Sequence, residues 1–375
     1  MVAQLILLCV VIAIIKYIAI MNQKHGFHNL KVHREVPKKA VHINESFEIT
    51  TVVENNKKFP ISFLVVKEKI PSHMKYLTES SDGEFLEQWR YYESRYNVWS
   101  YERVKRTYKV KFDKRGVYIL NELELTIGDL FGLSSNTRDM LDSNEIIVYP
   151  DVIPIENYIF KSTSYFGDNI IKRWIQKDPL YIKGIREYTV EDRMKDIHWK
   201  SSMKMNKLMV KEYDFTSERE ITIVVAINQG GGVWTGFNEV TLEKAAMMAA
   251  SLATKFINSG ISTGIWTNSK LFGVEENIKT EVSNSTGKLK SMLELCARLS
   301  VFQNSTTYEY LKKNMLKFRG NCTYIIISDS LDKETANLLG QIAKRGIDIK
   351  TIDISMNLDM VEIKGIEKIE YRGIR

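Results

Sequence analysis

The hydrophobic pattern of this 375-residue chain changes character near residue 218, and that change limits the fold more than any single motif does. From about residue 40 to 150 the apolar residues come in short runs or alternate with polar ones. FEITTVV (47–53) and ISFLVV (61–66) are rich in β-branched and aromatic side chains, and the polar NNKK (55–58) between them is a turn. WSYERVKRTYKVKF (99–112) alternates apolar or aromatic residues with charged ones over much of its length, as a half-buried strand requires. Gly116 then precedes two further apolar stretches, 117–120 and 123–127. Short strands separated by polar turns predict an antiparallel β-sandwich domain over 40–150. Gly116 and Gly132 are expected in turns with unusual backbone angles, and Asp129 is expected to cap its own turn.

After residue 218 strands and helices alternate. ITIVVAI (221–227) is an apolar run of the kind buried in a parallel sheet. Residues 239–258 place Leu242, Ala245, Ala246, Ala249, Leu252, Ala253 and Phe256 on one helical face. Further strands are predicted at 262–267, 324–329 and 347–354, and further helices at 288–299, 307–318 and 332–345. The alternation predicts a doubly wound α/β domain over 218–375, with ligand crevices at the carboxyl ends of its strands. Neither GxGxxG leading into a helix nor GxxxxGK[ST] is present, so no nucleotide motif accompanies this domain.

Residues 2–21, VAQLILLCVVIAIIKYIAIM, are about the length of one bilayer-spanning helix. Lys16 and Tyr17 suit its interfacial end. No basic region precedes the apolar run and no clean small-x-small site follows it, which argues against a cleaved signal peptide. Lys24, Lys31, Arg34, Lys38 and Lys39 flank it on the C-terminal side, so the expectation is a single-pass cell-membrane protein, anchored through residues 1–22, with its soluble domains facing the cytoplasm. His25, His28, His33 and His42 crowd the same flank without cysteines or paired carboxylates and are expected to be solvated. A hydrophobic share of 44% with 26% charged residues excludes disordered and collagen-like classes. The net charge of +7 has no zinc-finger spacing, RNP pattern or recognition helix beside it, so no nucleic-acid partner is expected. Cys9, Cys296 and Cys322 are too scattered for a disulfide framework or a CxxC metal pair.

Between the two patterned regions, within 151–217, lies the densest charge in the chain: GIREYTVEDRMKDIHWKSSMKMNKLMVKE (184–212). It is too polar for a core strand, and its Trp and Ile residues are too interleaved for a disordered tail. Arg186 with Glu187, and Asp192 with Lys195 or Lys200, can neutralise each other locally, and pairs of that kind set geometry more reliably than they add stability. His198 lies close in sequence to Asp192, Asp196, Ser201 and Ser202, but no nucleophile-elbow pattern surrounds them. The expected role is a recognition and docking element that fixes the two domains relative to each other, with Trp199 anchoring packing; the alternative is a binding face on which Arg186, Lys195, Lys200 and Lys211 hold carboxylates or phosphate.

The residues Arg186-Glu-Tyr188, Glu191-Asp192, Lys195, Ile197-His-Trp-Lys200 and Ser202, continued by Leu208-Met-Val-Lys-Glu212, form a signature. With Arg115-Gly-Val-Tyr118 and Asp129-Leu-Phe-Gly-Leu133 upstream, the chain resembles the bacterial family of domain of unknown function 58, whose signature has the form REYxxGDxxRxIxWKxSA. Glu191 stands for the family's Gly, Lys195 for its second Arg, and Met203-Lys204 for its Ala-Arg. The resemblance implies a membrane segment, a β-rich region and a fold like von Willebrand factor type A over 218–375. A metal-binding domain of that type would carry Asp-x-Ser-x-Ser after its first strand. Here Asn228, Gly230 and Gly232 stand in those places, leaving Asp329 of a later loop, so no tight divalent-metal site and no cofactor are expected. The family's frequent neighbours imply a partner of the MoxR type among AAA+ ATPases, and a non-enzymatic, membrane-anchored scaffold or adaptor working in complex assembly or envelope maintenance. The alternatives are a hydrolase-like enzyme centred on His198, Asp192 and Asp196, or binding of anionic lipid or cell-wall polymer by the basic flank.

Overall fold

A computed structural model describes residues 25–77, 85–86, 89–128, 135–155, 160–162, 182–190, 192–213, 220–228, 239–273, 278–355 and 357–371. The apolar run 2–21, the motif 129–133, Glu191, Gly230 and Gly232 lie outside them. Among the described residues no helix is long and apolar enough to cross a membrane. The chain forms two compact units, the first reaching Asp151 and the second beginning at Val152.

The first unit contains β1 (Leu30–Glu35), β2 (Ala40–His42), β3 (Phe47–Asn55), β4 (Ile61–Pro71), β5 (Met74–Tyr76), β6 (Phe85–Leu86), β7 (Trp89–Val98), β8 (Arg103–Phe112), β9 (Gly116–Gly128) and β10 (Ser135–Tyr149). They form a four-stranded sheet, β1-β3-β8-β5, and a six-stranded sheet, β2-β10-β9-β4-β7-β6. Period-2 alternation places one side of each strand inward. Val32 and Val53 of one sheet share a cluster with Leu64, Val66 and Leu125 of the other, and Phe47 and Phe112 meet Leu120 and Ile146 in a second cluster. This is a β-sandwich whose pairing is antiparallel except at the edge, where β2 runs parallel to β10. Inside it the guanidinium of Arg34 donates to Asp142 at 2.9 Å, and Thr51 Oγ1 donates to the buried Glu68 at 2.9 Å.

The second unit contains β11 (Phe160–Ser162), β12 (Ile182–Glu187), β13 (Met209–Tyr213), β14 (Glu220–Val225), β15 (Ser262–Thr267), β16 (Ser269–Leu271), β17 (Glu281–Ser285), β18 (Leu299–Gln303), β19 (Cys322–Ser328), β20 (Asp348–Asp353) and β21 (Glu367–Tyr371). Its helices are α1 (Trp199–Met205), α2 (Glu239–Asn258), α3 (Leu289–Arg298), α4 (Thr307–Lys313) and α5 (Lys333–Lys344). The main sheet runs β11-β21-β20-β19-β14-β15-β17, and β12-β13 and β16-β18 form separate ribbons. β14 and β19 are buried along nearly their whole length because the sheet is covered on both faces there. α2 packs on β14, β15 and β19 through Leu242, Ala249, Leu252 and Phe256. α4 and α5 bring Leu311, Leu338, Leu339 and Ile342 against Val224, Tyr324 and Ile326. α4 starts with a capping box between Thr306 and Glu309, and α5 with Asp332 accepting from the Thr335 amide.

The expected sequence of membrane helix, antiparallel sandwich and doubly wound domain needs correction. The membrane helix falls outside the described residues. The sheet of the second unit is mixed rather than parallel: β17 runs antiparallel to β15 at one edge and β11 antiparallel to β21 at the other. The crossover from β20 to β21 contains no helix, so the strand–helix alternation is not carried through. Among the described residues the chain is mostly β, with five α-helices. The misreading has a physical origin. The long apolar strands and amphipathic helices dominate the periodicity, whereas EVSNS (β17) and EKIEY (β21) are too short and too polar to register.

Candidate functional site

The charge-dense segment folds as a small module. β12 and β13 pair antiparallel, with Gly184 opposite Glu212, Ile185 opposite Lys211, Arg186 opposite Val210 and Glu187 opposite Met209. The loop between them holds a 3-10 turn, Met194–Asp196, and α1. His198 caps α1: its Nδ1 accepts from the Ser201 amide at 3.1 Å. Asn206, in the left-handed region at φ 51°, ends it. Ile197 and Val210 are buried against each other through a β-bridge.

Arg186, Glu187, Asp192, His198 and Ser202 of the signature are engaged within the module. Arg186 grips Asp192 with both terminal nitrogens, Nη1 at 2.7 Å, and Nη1 also donates to the Glu187 carbonyl at 3.0 Å. The backbone amide and hydroxyl of Thr189 each donate to Asp192 Oδ2 at 2.8 Å. The Arg186 guanidinium first, and the Thr189 donors after it, hold the Asp192 carboxyl well below the usual carboxylate range. Glu187 pairs with Lys207 at 3.2 Å, both exposed. The sequence expectation that Asp192 pairs with Lys195 or Lys200 is therefore corrected: β12 delivers Arg186 to the loop closed by Asp192, and a planar guanidinium fits a carboxylate better than a point ammonium does.

Ser202, which the sequence offered as a signature match and as a neighbour of His198, is the link between α1 and β13. Its hydroxyl donates to the His198 carbonyl at 3.1 Å and accepts from the Met209 amide at 2.8 Å. The His198 amide donates to the Met209 carbonyl at 2.8 Å, and the Tyr188 amide to the Leu208 carbonyl at 2.9 Å. His198, Asp192 and Asp196 are close in sequence, yet the hydrogen bonds of the His198 ring and of Asp192 run to Ser201, Arg186 and Thr189 rather than to one another.

Apart from the buried Ile197 and Val210, the module turns large apolar side chains outward. Val190 is 95% exposed, Met203 79%, Met194 71%, Trp199 63% and Met205 61%. Lys195, Lys200, Lys204 and Lys207 are exposed among them, and Glu212 is exposed on β13. Trp199 does not anchor packing inside the unit, contrary to expectation. It is the first residue after the His198 cap on a helix whose inner face is held by Ser202.

At the carboxyl end of β14, Asn228 donates from Nδ2 to Ser328 Oγ at 3.2 Å and to the Ser330 carbonyl, and its Oδ1 accepts from the Thr307 hydroxyl. This amide ties the ends of β14 and β19 to the start of α4. Asp329 receives the Ser330 hydroxyl at 3.3 Å, and burial raises its pKa. Nearby, the buried carboxylate of Asp353 is met by a cation of the chain itself, Lys368 Nζ at 2.9 Å from Oδ2. Among the described residues no group of three or more His, Cys, Asp or Glu side chains could hold a metal ion.

Residues 184–361 match the family model described as "Protein of unknown function DUF58". The uncharacterized protein YeaD of Bacillus subtilis (strain 168) is 18% identical over 254 residues, covering 68% of this chain and 58% of that protein. The chain thus spans little more than half the length of this relative. Among solved structures, the CARDB domain of the PF1109 protein from Pyrococcus furiosus aligns at TM-score 0.22 and 13% identity, over 32% of this chain and 91% of that one. A non-cellulosomal cohesin from Archaeoglobus fulgidus aligns at 0.20 and 12%, over 32% and 86%. At such scores the likeness carries no structural argument. The matched stretch, residues 184–361, takes in the charge-dense module and most strands of the second unit's main sheet, and it is there that the chain is similar to the family described as protein of unknown function DUF58.

Proposed function

We propose that this chain is a non-enzymatic interaction protein and that the β12–α1–β13 module is its docking element. One observation carries the reading: the module spends Arg186, Thr189, Asp192 and Ser202 on its own geometry and presents Val190, Met194, Trp199, Met203 and Met205 to solvent. A catalytic site does the reverse, holding polar groups available inside a cleft. Trp and Met exposed side by side, rimmed by lysines, are what a protein interface uses: a rigid aromatic anchor, adaptable thioethers and a charged rim that orients the partner. The alternative of hydrolysis centred on His198, Asp192 and Asp196 has less support, since among the described residues the bonds of Asp192 and of the His198 ring run to Arg186, Thr189 and the Ser201 amide.

The partner proposed is an AAA+ ATPase of the MoxR type, on the family resemblance, and the work it serves is complex assembly or envelope maintenance. Titrating the full chain with a purified MoxR-type ATPase from the same genome tests this. Saturable binding that Trp199→Ala with Met203→Glu weakens at least about tenfold is the expected result. Equal binding by the double variant, or none by the wild-type chain, would refute the assignment.

A further inference from the structure

The face of the main sheet that carries Val224, Trp266, Tyr324 and Ile326 is apolar where it packs in the core cluster with residues of α4 and α5. Two residues nearer the start of the same strands, it turns polar. Thr222 Oγ1 donates to Asn284 Oδ1 at 3.2 Å, Asn284 Nδ2 donates to Glu220 Oε2 at 3.1 Å, and the Thr222 hydroxyl lies 3.2 Å from Cys322 Sγ. Asn284 belongs to the edge strand β17, and it reaches β14 only by lying across β15. The residue it crosses is Gly264, paired with Thr222, where a Cβ would stand 2.1 Å from Asn284 Oδ1. A glycine inside a strand weakens it unless something must approach closely, and here the approaching group is an amide. Burying polar groups costs free energy unless they are hydrogen-bonded, and these four are bonded to one another.

They face a cavity of about 960 Å³, the size range of small-molecule sites. Two cations of its wall are neutralised: Lys317 by Glu281 at 2.7 Å and Arg298 by Glu294 at 2.9 Å. Three others, Lys279, Lys288 and Arg319, are exposed at its rim and have no ion pair among the described residues. A floor of hydroxyl, amide and the Glu220 carboxylate, below a cationic rim, matches a molecule having a polar, hydrogen-bond-donating uncharged body and an anionic end. Both Nδ2 protons of Asn284 are taken, by Glu220 and by Cys322 Sγ, and its Oδ1 keeps one lone pair after the bond from Thr222.

We propose that this cavity binds a phosphorylated polar small molecule of nucleotide or sugar-phosphate size. Lys279, Lys288 and Arg319 take the phosphate, and Thr222 and Asn284 take the uncharged part. The site is separate from the β12–α1–β13 module and does not depend on the docking reading. It would let the abundance of a metabolite reach a protein whose β12–α1–β13 module recruits a partner.

Calorimetric titration of the full chain at physiological salt tests this, using ADP, glucose 1-phosphate and inorganic phosphate as probes. Saturable one-site binding of ADP or of glucose 1-phosphate is expected, and the probe that binds tells the nucleotide from the sugar. Lys279→Glu with Arg319→Glu, both at exposed positions, is expected to weaken that binding at least about tenfold. Thr222→Val removes the floor hydroxyl and is expected to weaken it several-fold, while Trp199→Ala leaves it unchanged. The proposal is overturned if neither organic probe saturates. It is overturned equally if charge reversal leaves the affinity intact, or if inorganic phosphate binds as tightly as the organic probes. Should Thr222→Val fail to fold, the two surface reversals decide the matter alone.

Discussion

Replacing Ser202 by alanine removes one oxygen atom from the module and isolates its main internal joint. The Ser202 side chain is 8% exposed, and its hydroxyl is the acceptor for the Met209 amide at 2.8 Å. Alanine keeps the helix, since Ala is the better helix former, so propensity works against the expected loss. What remains is a partly buried backbone amide without its partner, at a cost of about 1–2 kcal/mol. The donor bond from Ser202 to the His198 carbonyl adds little, because that carbonyl also accepts the Ser201 and Ser202 amides at 3.0 Å. A loss of about 1.4 kcal/mol corresponds to a tenfold change in an opening equilibrium. Native-state hydrogen exchange should therefore show the Met209 amide exchanging about tenfold faster or more, with the amides of β14 and β19 unchanged. Ser202→Thr, which keeps the hydroxyl, should restore most of the protection. Unaltered exchange at Met209 in the alanine variant would refute the claim that this hydroxyl joins α1 to β13.

Three further outcomes follow from the geometry. Gly264→Ala puts a Cβ 2.1 Å from Asn284 Oδ1 and 2.8 Å from the Val282 carbonyl, so urea unfolding should show a loss of about 1–3 kcal/mol, and Asn284→Ala in the same chain should recover part of it. Lys368→Met leaves the Asp353 carboxylate buried without its cation, at a cost of about 3–5 kcal/mol that a second change, Asp353→Asn, should reduce. Asp192 has a folded pKa below its ordinary value of 3.8. Its contribution is therefore present above that ordinary value and is withdrawn as pH falls below it toward the folded value. The Thr189 amide resonance should stay constant from neutral pH to the ordinary carboxylate range and shift only in stronger acid, and Asp192→Asn should abolish the shift.

The elements that periodicity could place are those with one long apolar face. Residues 239–258 form α2 as the spacing predicts, because the helix buries a continuous stripe from Leu242 to Phe256. Residues 262–267 form β15. The predicted helix 307–318 is shorter: α4 stops at Lys313 and a 3-10 turn, Met315–Lys317, follows. β10 escaped notice because SNTRDMLDSNEIIVY is polar over most of its length, and its place is fixed by pairing with β9. Two stretches read as separate strands, 117–120 and 123–127, are one strand, β9. The site was legible as a concentration of charge but not as a set of contacts. Arg186 and Asp192 are six residues apart and meet only because β12 ends between them. Ser202 carries no sequence signal beyond its place in the signature and near His198, since its role depends on the return of β13. The cavity over Thr222 was invisible for the same reason: its floor joins residues from β14, β17 and β19 that only the sheet brings together.

The outward apolar face of the module is the feature on which the functional reading turns, and partner binding by that face is the measurement closest to it. The full chain and its Trp199→Ala, Met203→Glu form, matched for thermal stability, are titrated with the same purified MoxR-type ATPase. Docking through α1 predicts that the wild-type chain binds and that the double variant loses at least about tenfold in affinity while keeping its fold. Undiminished binding by the folded variant would contradict it, because Trp199 and Met203 would then be exposed for no purpose the partner reads.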